Sequence, residues 1–200
     1  MRLFSPGGLA SDEAHRPLWI NLDVGEANPY SIPGWLTRMA ASVTITIDSL
    51  FAFPIYVETT TTFNRIGVFV STPGAALSVM RLGLYNASIS GGVITPTSLR
   101  LDAGTVAVDS GGQKIIIISH ELAAGHYYVA FSTNSTPALS SAASNQVASA
   151  PYTGQHNTID AEPSVVIREV IVAGEAPLPD PFPSVTTGVG KENVAVMLRR

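Results

Sequence analysis

Between residues 43 and 132 apolar side chains recur in short runs, and Gly, Pro, Asn and Asp cut each run from the next. Residues 43–47, 66–70 and 115–118 are rich in β-branched side chains, which suit a pleated and packed surface. Residues 61–71 alternate, with Ile66, Val68 and Val70 on one face and Arg65, Gly67 and Phe69 on the other. Residues 78–85 place Met80, Leu82 and Leu84 inward, opposite Val79, Arg81 and Tyr85; residues 127–132 set Tyr127, Val129 and Phe131 against Tyr128, Ala130 and Ser132. Pro54 has no amide hydrogen to donate, so its run is expected at a sheet edge or a bulge.

A polar excursion is predicted at 86–92, followed by three short strands at 92–96, 99–102 and 105–108. Asp109-Ser110-Gly111-Gly112 then reverses the chain into a strand at 114–119. Further strands are predicted within 163–173 and 193–198. Eight or more strands at this spacing describe an all-β chain, an antiparallel β-sandwich or jelly roll.

The two ends depart from this pattern. Residues 1–42 hold Gly25, Pro29, Pro33 and Gly34, which deny helix and ladder their hydrogen bonds. They read as an irregular N-terminal arm or attachment segment with Trp19, Tyr30 and Trp35 as assembly anchors; a first strand and loop of the same domain is the alternative. A short helix across 35–41 is weakly signalled. Residues 43–200 are taken as the sandwich domain. It includes a Ser/Ala/Thr-rich loop at 133–160 and a C-terminal segment, with Pro177, Pro179, Pro181 and Pro183, expected to be extended.

Composition narrows the function classes. The 200 residues include no cysteine, which excludes disulfides, thiol nucleophiles and cysteine-ligated zinc. Charged residues make up 13%, net charge is −4 and mean hydropathy is +0.27, so much of the surface is expected to be neutral or covered by other subunits. Lysines and arginines are dispersed, with no basic stripe for a phosphate backbone, so nucleic acid is not an expected partner. No apolar run approaches membrane-spanning length, and residues 1–16 lack the apolar stretch of a signal peptide. No membrane partner is expected, and synthesis is expected in a cytoplasm without an evident export signal.

The residues that can carry chemistry form no catalytic grouping. His15, His120, His126 and His156 show no metal-ligand spacing; His120, Glu121 and His126 are near enough in sequence to meet at a metal, or to be an ordinary strand-end cluster. No nucleophile elbow or phosphate loop occurs. No catalytic residue, metal or cofactor is expected. Tyr85, Tyr128 and Tyr152 are candidates for stacking on a sugar or contacting a partner, against the plainer reading that they pack within the sandwich. Arg65 and Arg81 sit mid-strand and need acidic partners, for which Asp102, Asp109 and Glu121 are the candidates.

Four stretches carry a resemblance. They are Leu50-Phe51-Ala52-Phe53-Pro54-Ile55-Tyr56-Val57, Thr61-Thr62-Phe63-Asn64-Arg65-Ile66-Gly67-Val68, Met80-Arg81-Leu82-Gly83-Leu84-Tyr85 and the glycine-led Leu122-Ala123-Ala124-Gly125-His126-Tyr127-Tyr128-Val129-Ala130. Together, over residues 49–132, their order resembles bacteriophage virion surface proteins with tail-fibre-type β-sandwich domains. The resemblance implies a sandwich, homotrimeric assembly, contact with other virion proteins or a host-surface glycan, and no catalytic residues. The resulting expectation is a non-enzymatic virion structural protein, a tail-fibre or receptor-binding-type module. A capsid head-fibre or decoration protein, and a carbohydrate-binding module outside a virion, are the alternatives.

Overall fold

The structure is a computed structural model that describes residues 30–31, 39–90, 93–142, 166–170, 173–183, 189–190, 194 and 196–199. Twelve strands are described, and no helix is among them. They are β1 (Tyr30–Ser31), β2 (Met39–Thr44), β3 (Ser49–Val57), β4 (Thr61–Thr72), β5 (Val79–Ser90) and β6 (Val93–Ala107). β7 (Gly112–Leu122), β8 (Gly125–Thr133), β9 (Ala138–Ala142), β10 (Val166–Val170), β11 (Val189–Gly190) and β12 (Met197–Arg199) complete them.

Two antiparallel sheets face each other. One runs β2-β9-β4-β7, with β12 and β1 added beside β4; the other runs β11-β10-β3-β8-β5-β6. From β2 to β9 each successive strand lies in the opposite sheet, except for the hairpin β5–β6. Eight strands ordered in this way are a jelly roll.

Period two accounts for the core. Phe51, Phe53 and Ile55 of β3, Ile66, Val68 and Val70 of β4, Met80, Leu82 and Leu84 of β5, and Tyr127, Val129 and Phe131 of β8 all enter one cluster between the sheets. Phe131 stacks on Phe51 and Phe53, with centroids 4.9 and 5.8 Å apart. Each such side chain contributes about 1.5–3 kcal/mol on burial. Among the described residues the ladder with β10 covers positions 49–52 of β3, and Pro54 lies beyond it, opposite Tyr128 of β8.

The structure corrects several sequence expectations. β2 starts at Met39, ahead of residue 43, and residues 39–41 are strand where a short helix was signalled. The three short strands after residue 92 are one long strand, β6, whose interruptions are register shifts in its ladder with β5, helped by Gly104 at φ 90°. The polar stretch from Asn86 to Ser90 belongs to β5; Ser88, Ile89 and Ser90 stay exposed, so pairing there needs no buried face. Within the expected loop 133–160, Ala138–Ala142 forms β9, between β4 and β2. Small residues pass unnoticed as a strand because pairing on both sides, rather than intrinsic propensity, holds them there.

Candidate functional site

Among the described residues three surface regions stand apart: a sheet face closed by the strap of residues 173–183, an open apolar face, and a hydrogen-bonded loop end. The closed face belongs to β3, β8 and β5. Leu50, Ala52, Tyr85, Tyr128 and Ala130 point away from the central core, yet form a second dry cluster with Leu178 and Phe182. Residues 173–183 cross this face as a strap.

Hydrogen bonds pin the strap along its length. Gly174 N donates to Asp48 Oδ1 (2.9 Å) and Ser132 Oγ donates to Gly174 O (2.7 Å). Arg81 Nε donates to Glu175 O (3.0 Å), and Leu178 N donates to Asp102 Oδ2 (3.2 Å). Tyr85 OH donates to Pro179 O (2.8 Å), Leu99 N to Asp180 Oδ1 (2.9 Å) and Phe182 N to Thr97 O (2.7 Å). A β-carbon at Gly174 would fall inside van der Waals contact with Thr133 O, so only glycine fits that crossing.

This arrangement decides the fate of the sequence candidates. Tyr85 and Tyr128 have no exposed surface. The Tyr85 ring meets Phe182 edge-on at 5.0 Å, and Tyr128 OH donates to Ile94 O at 2.7 Å. Neither ring offers a face to a sugar or a partner, because the strap and the β5–β6 hairpin occupy it. Burial pushes both phenols far above their ordinary range, and for Tyr85 the Asp102 and Asp180 carboxylates add to the effect. Tyr152, Trp19 and Trp35 lie outside the described residues; Tyr30 lies in β1, paired with Arg199.

The mid-strand arginines separate. Arg81 Nη1 reaches both Asp102 oxygens at 2.9 Å, as one of the expected pairings required, and Asp102 also accepts from Gly104 N (3.0 Å). Arg65 is half-buried and, among the described residues, pairs with none of Asp102, Asp109 or Glu121.

His120 and His126 do not converge. Arg100 Nε donates to His120 Nε2 at 3.3 Å, whereas His126 packs on Tyr56 with ring centroids 4.8 Å apart. Burial lowers the pKa of both imidazoles, with Arg100 adding to the effect at His120. No cluster of three His, Asp or Glu side chains able to hold a metal occurs among the described residues. The Tyr56–His126 pair is half-buried on the same sheet face as Tyr128, and sequence parity alone could not reveal it. The pair depends on the β3–β8 register that sets position 56 against 126.

The open face is the outer side of β4 and β7. Ile116 and Ile118 pack inward, so Ile115 and Ile117 point out, and Ile117 is 79% exposed. Phe69, between buried Val68 and Val70, is 40% exposed on the same side. Among the described residues β7 pairs only with β4, which makes this 11-residue strand the edge of its sheet. The outward parity of positions 65, 67 and 69 was legible in the sequence; that nothing described covers them was not.

The loop end gathers 45–48, 74–79, 108–109 and 133–137 through Ile45 N to Pro137 O (2.9 Å), Asp48 N to Thr133 O (3.1 Å), Gly74 N to Val108 O (2.9 Å) and Ala75 N to Ser135 Oγ (2.9 Å). Leu77 stands at its tip, 86% exposed in the left-handed region at φ 65°, with its amide donating to Asp109 Oδ2 (3.3 Å). A leucine in that conformation costs roughly 1–2 kcal/mol. Compared with protein-family models, curated proteins and solved structures, the chain matches none of them.

Proposed function

We propose that this chain is a non-enzymatic structural protein of a bacteriophage virion, a tail-fibre or receptor-binding-type module that assembles as a homotrimer and acts by multivalent surface contact. Several copies on one particle raise avidity by orders of magnitude without a strong individual site. The observation that carries this reading is the contrast between the two outer faces of the jelly roll. The chain spends its own strap on closing one face, with Leu178 and Phe182 buried, and leaves Phe69 and Ile117 exposed on the other. Exposed apolar side chains grouped on one sheet face support contact with another macromolecule. The resemblance over residues 49–132 supplies the class of particle.

Size-exclusion chromatography with light scattering tests the assembly. A stable trimer supports the proposal, and a monomer at micromolar concentration refutes it. Antibody labelling of phage particles in electron micrographs tests the location: label on tails supports the tail-fibre reading, and label confined to heads moves the protein to head decoration. A glycan contact, if the module makes one, falls to Tyr56 and His126 rather than to Tyr85 or Tyr128, since only the former pair retains exposed ring surface.

A further inference from the structure

We infer that the outer face of β4 and β7 is where copies of this chain meet, with Ile117 at the centre and an intersubunit ion pair between Arg65 and Glu121. The inference rests on the trimeric reading above and names its contact surface.

Three observations carry it. Ladder register places Ile117 directly beside Arg65, and Ile115 beside Gly67, with Phe69 diagonal to Ile115 on the same face. These make a short apolar strip beside the edge of β7, which is unpaired among the described residues, and no charged residue stands between Lys114 and His120 to discourage docking.

The second observation is electrostatic. Arg65 is a half-buried residue with no ion-pair partner among the described residues, and it lies beside Arg199 in the β4–β12 ladder. Two cationic side chains in register on one face favour a carboxylate partner beside them.

The third is that the same face carries a carboxylate left unpaired among the described residues. Glu121 pairs in register with Thr62, so it lies on the outer side of β7, exposed and without a side-chain partner among the described residues. Thr62, its partner in register, stands three positions from Arg65 on β4, and no ion pair joins Glu121 to Arg65 among the described residues. A neighbouring copy packed against Ile117 brings a second Glu121 to the face from another direction. The strip therefore carries an apolar centre with a cation on one flank and an anion on the other, so that around a three-fold axis near Ile117 the Arg65 of each copy meets the Glu121 of the next, a heterologous contact that closes in a ring.

Charge exchange in the full chain, followed by light scattering, tests this. Ile117→Lys should lower the mass about threefold relative to the wild-type trimer. Because Ile117 is 79% exposed, the far-UV circular dichroism should not change. Arg65→Glu and Glu121→Arg should each shift the mass toward monomer, and the double exchange R65E/E121R should restore the trimer. A general folding defect would not produce that rescue. A wild-type trimer that survives I117K, or a double exchange no better than the single ones, overturns this surface while leaving the trimeric reading standing. A monomeric wild type overturns the trimeric reading itself.

Discussion

Phe182→Ala separates the strap's apolar anchoring from its hydrogen bonding. Phe182 is 6% exposed and meets the Tyr85 ring edge-on at 5.0 Å and 84°. Truncating a buried phenylalanine costs about 3–5 kcal/mol, of which the edge-on ring contact is about 0.5–1.5 kcal/mol. The hydrogen bonds nearest to it, Phe182 N to Thr97 O at 2.7 Å and Leu99 N to Asp180 Oδ1 at 2.9 Å, remain available. Each is worth only about 0.5–1.5 kcal/mol net, so together they do not offset the lost side chain.

The strap has no regular structure of its own, and Phe182 does not belong to the cluster between the sheets. The loss therefore falls first on docking of residues 178–183, and the sandwich stays folded. Hydrogen exchange at the Phe182 amide should quicken about 100-fold or more, following the conversion of local opening free energy into exchange rate. Tyr85, whose phenol burial now holds far above its usual range, should titrate lower in the variant than in the wild type, with the Asp102 carboxylate still raising it. Tyr128 should stay protected, because its hydroxyl bonds to Ile94 O on the hairpin and not to the strap. An unchanged Phe182 exchange rate together with an unchanged Tyr85 titration, read by ultraviolet difference absorbance, would refute the reasoning.

Three further outcomes are expected. Gly174→Ala drives a methyl group into the Thr133 carbonyl and should lower stability in urea by about 1–3 kcal/mol; an unchanged midpoint contradicts the tight crossing. Asp102→Ala leaves Arg81, Gly104 N and Leu178 N without their acceptor and should cost about 1–3 kcal/mol, more than Arg81→Ala does, with the double variant short of the sum. Tyr85 and Tyr128 bind their protons more tightly folded than unfolded, so their contribution is complete below pH of about 10 and is lost as pH rises, by up to about 1.4 kcal/mol per unit for each. Tyr128→Phe should flatten that alkaline decline in thermal scans, and an equally steep decline in the variant counts against it.

Much of the inner architecture was legible because burial on one face of a strand imposes a period of two. Met80, Leu82 and Leu84, or Tyr127, Val129 and Phe131, announce their direction in any window of six residues. Arg81 likewise announced its need for an acid, and the β5–β6 ladder, which pairs Leu82 with Gly104 and Gly83 with Asp102, supplied one of the expected candidates. The opposite parity of Tyr85 and Tyr128 was equally legible, but its meaning was not. An aromatic ring on an outer face suits a ligand when that face is wet, and locks a core when it is dry.

The pattern of residues alone determined that this chain builds strands, which side of each strand turns inward, and that Pro54 needs an edge. Those properties depend on neighbours within a few positions, through sterics, branching at Cβ and the alternation of the pleat. Tertiary structure alone decided that Ala138–Ala142 completes a sheet, that the strap keeps Tyr85 and Tyr128 from any ligand, and that Phe69 and Ile117 are left on an open face. The Tyr85 hydroxyl finds its acceptor 94 residues along the chain. Whether a face is covered is set by where such a distant segment comes to rest, and no local spacing encodes that.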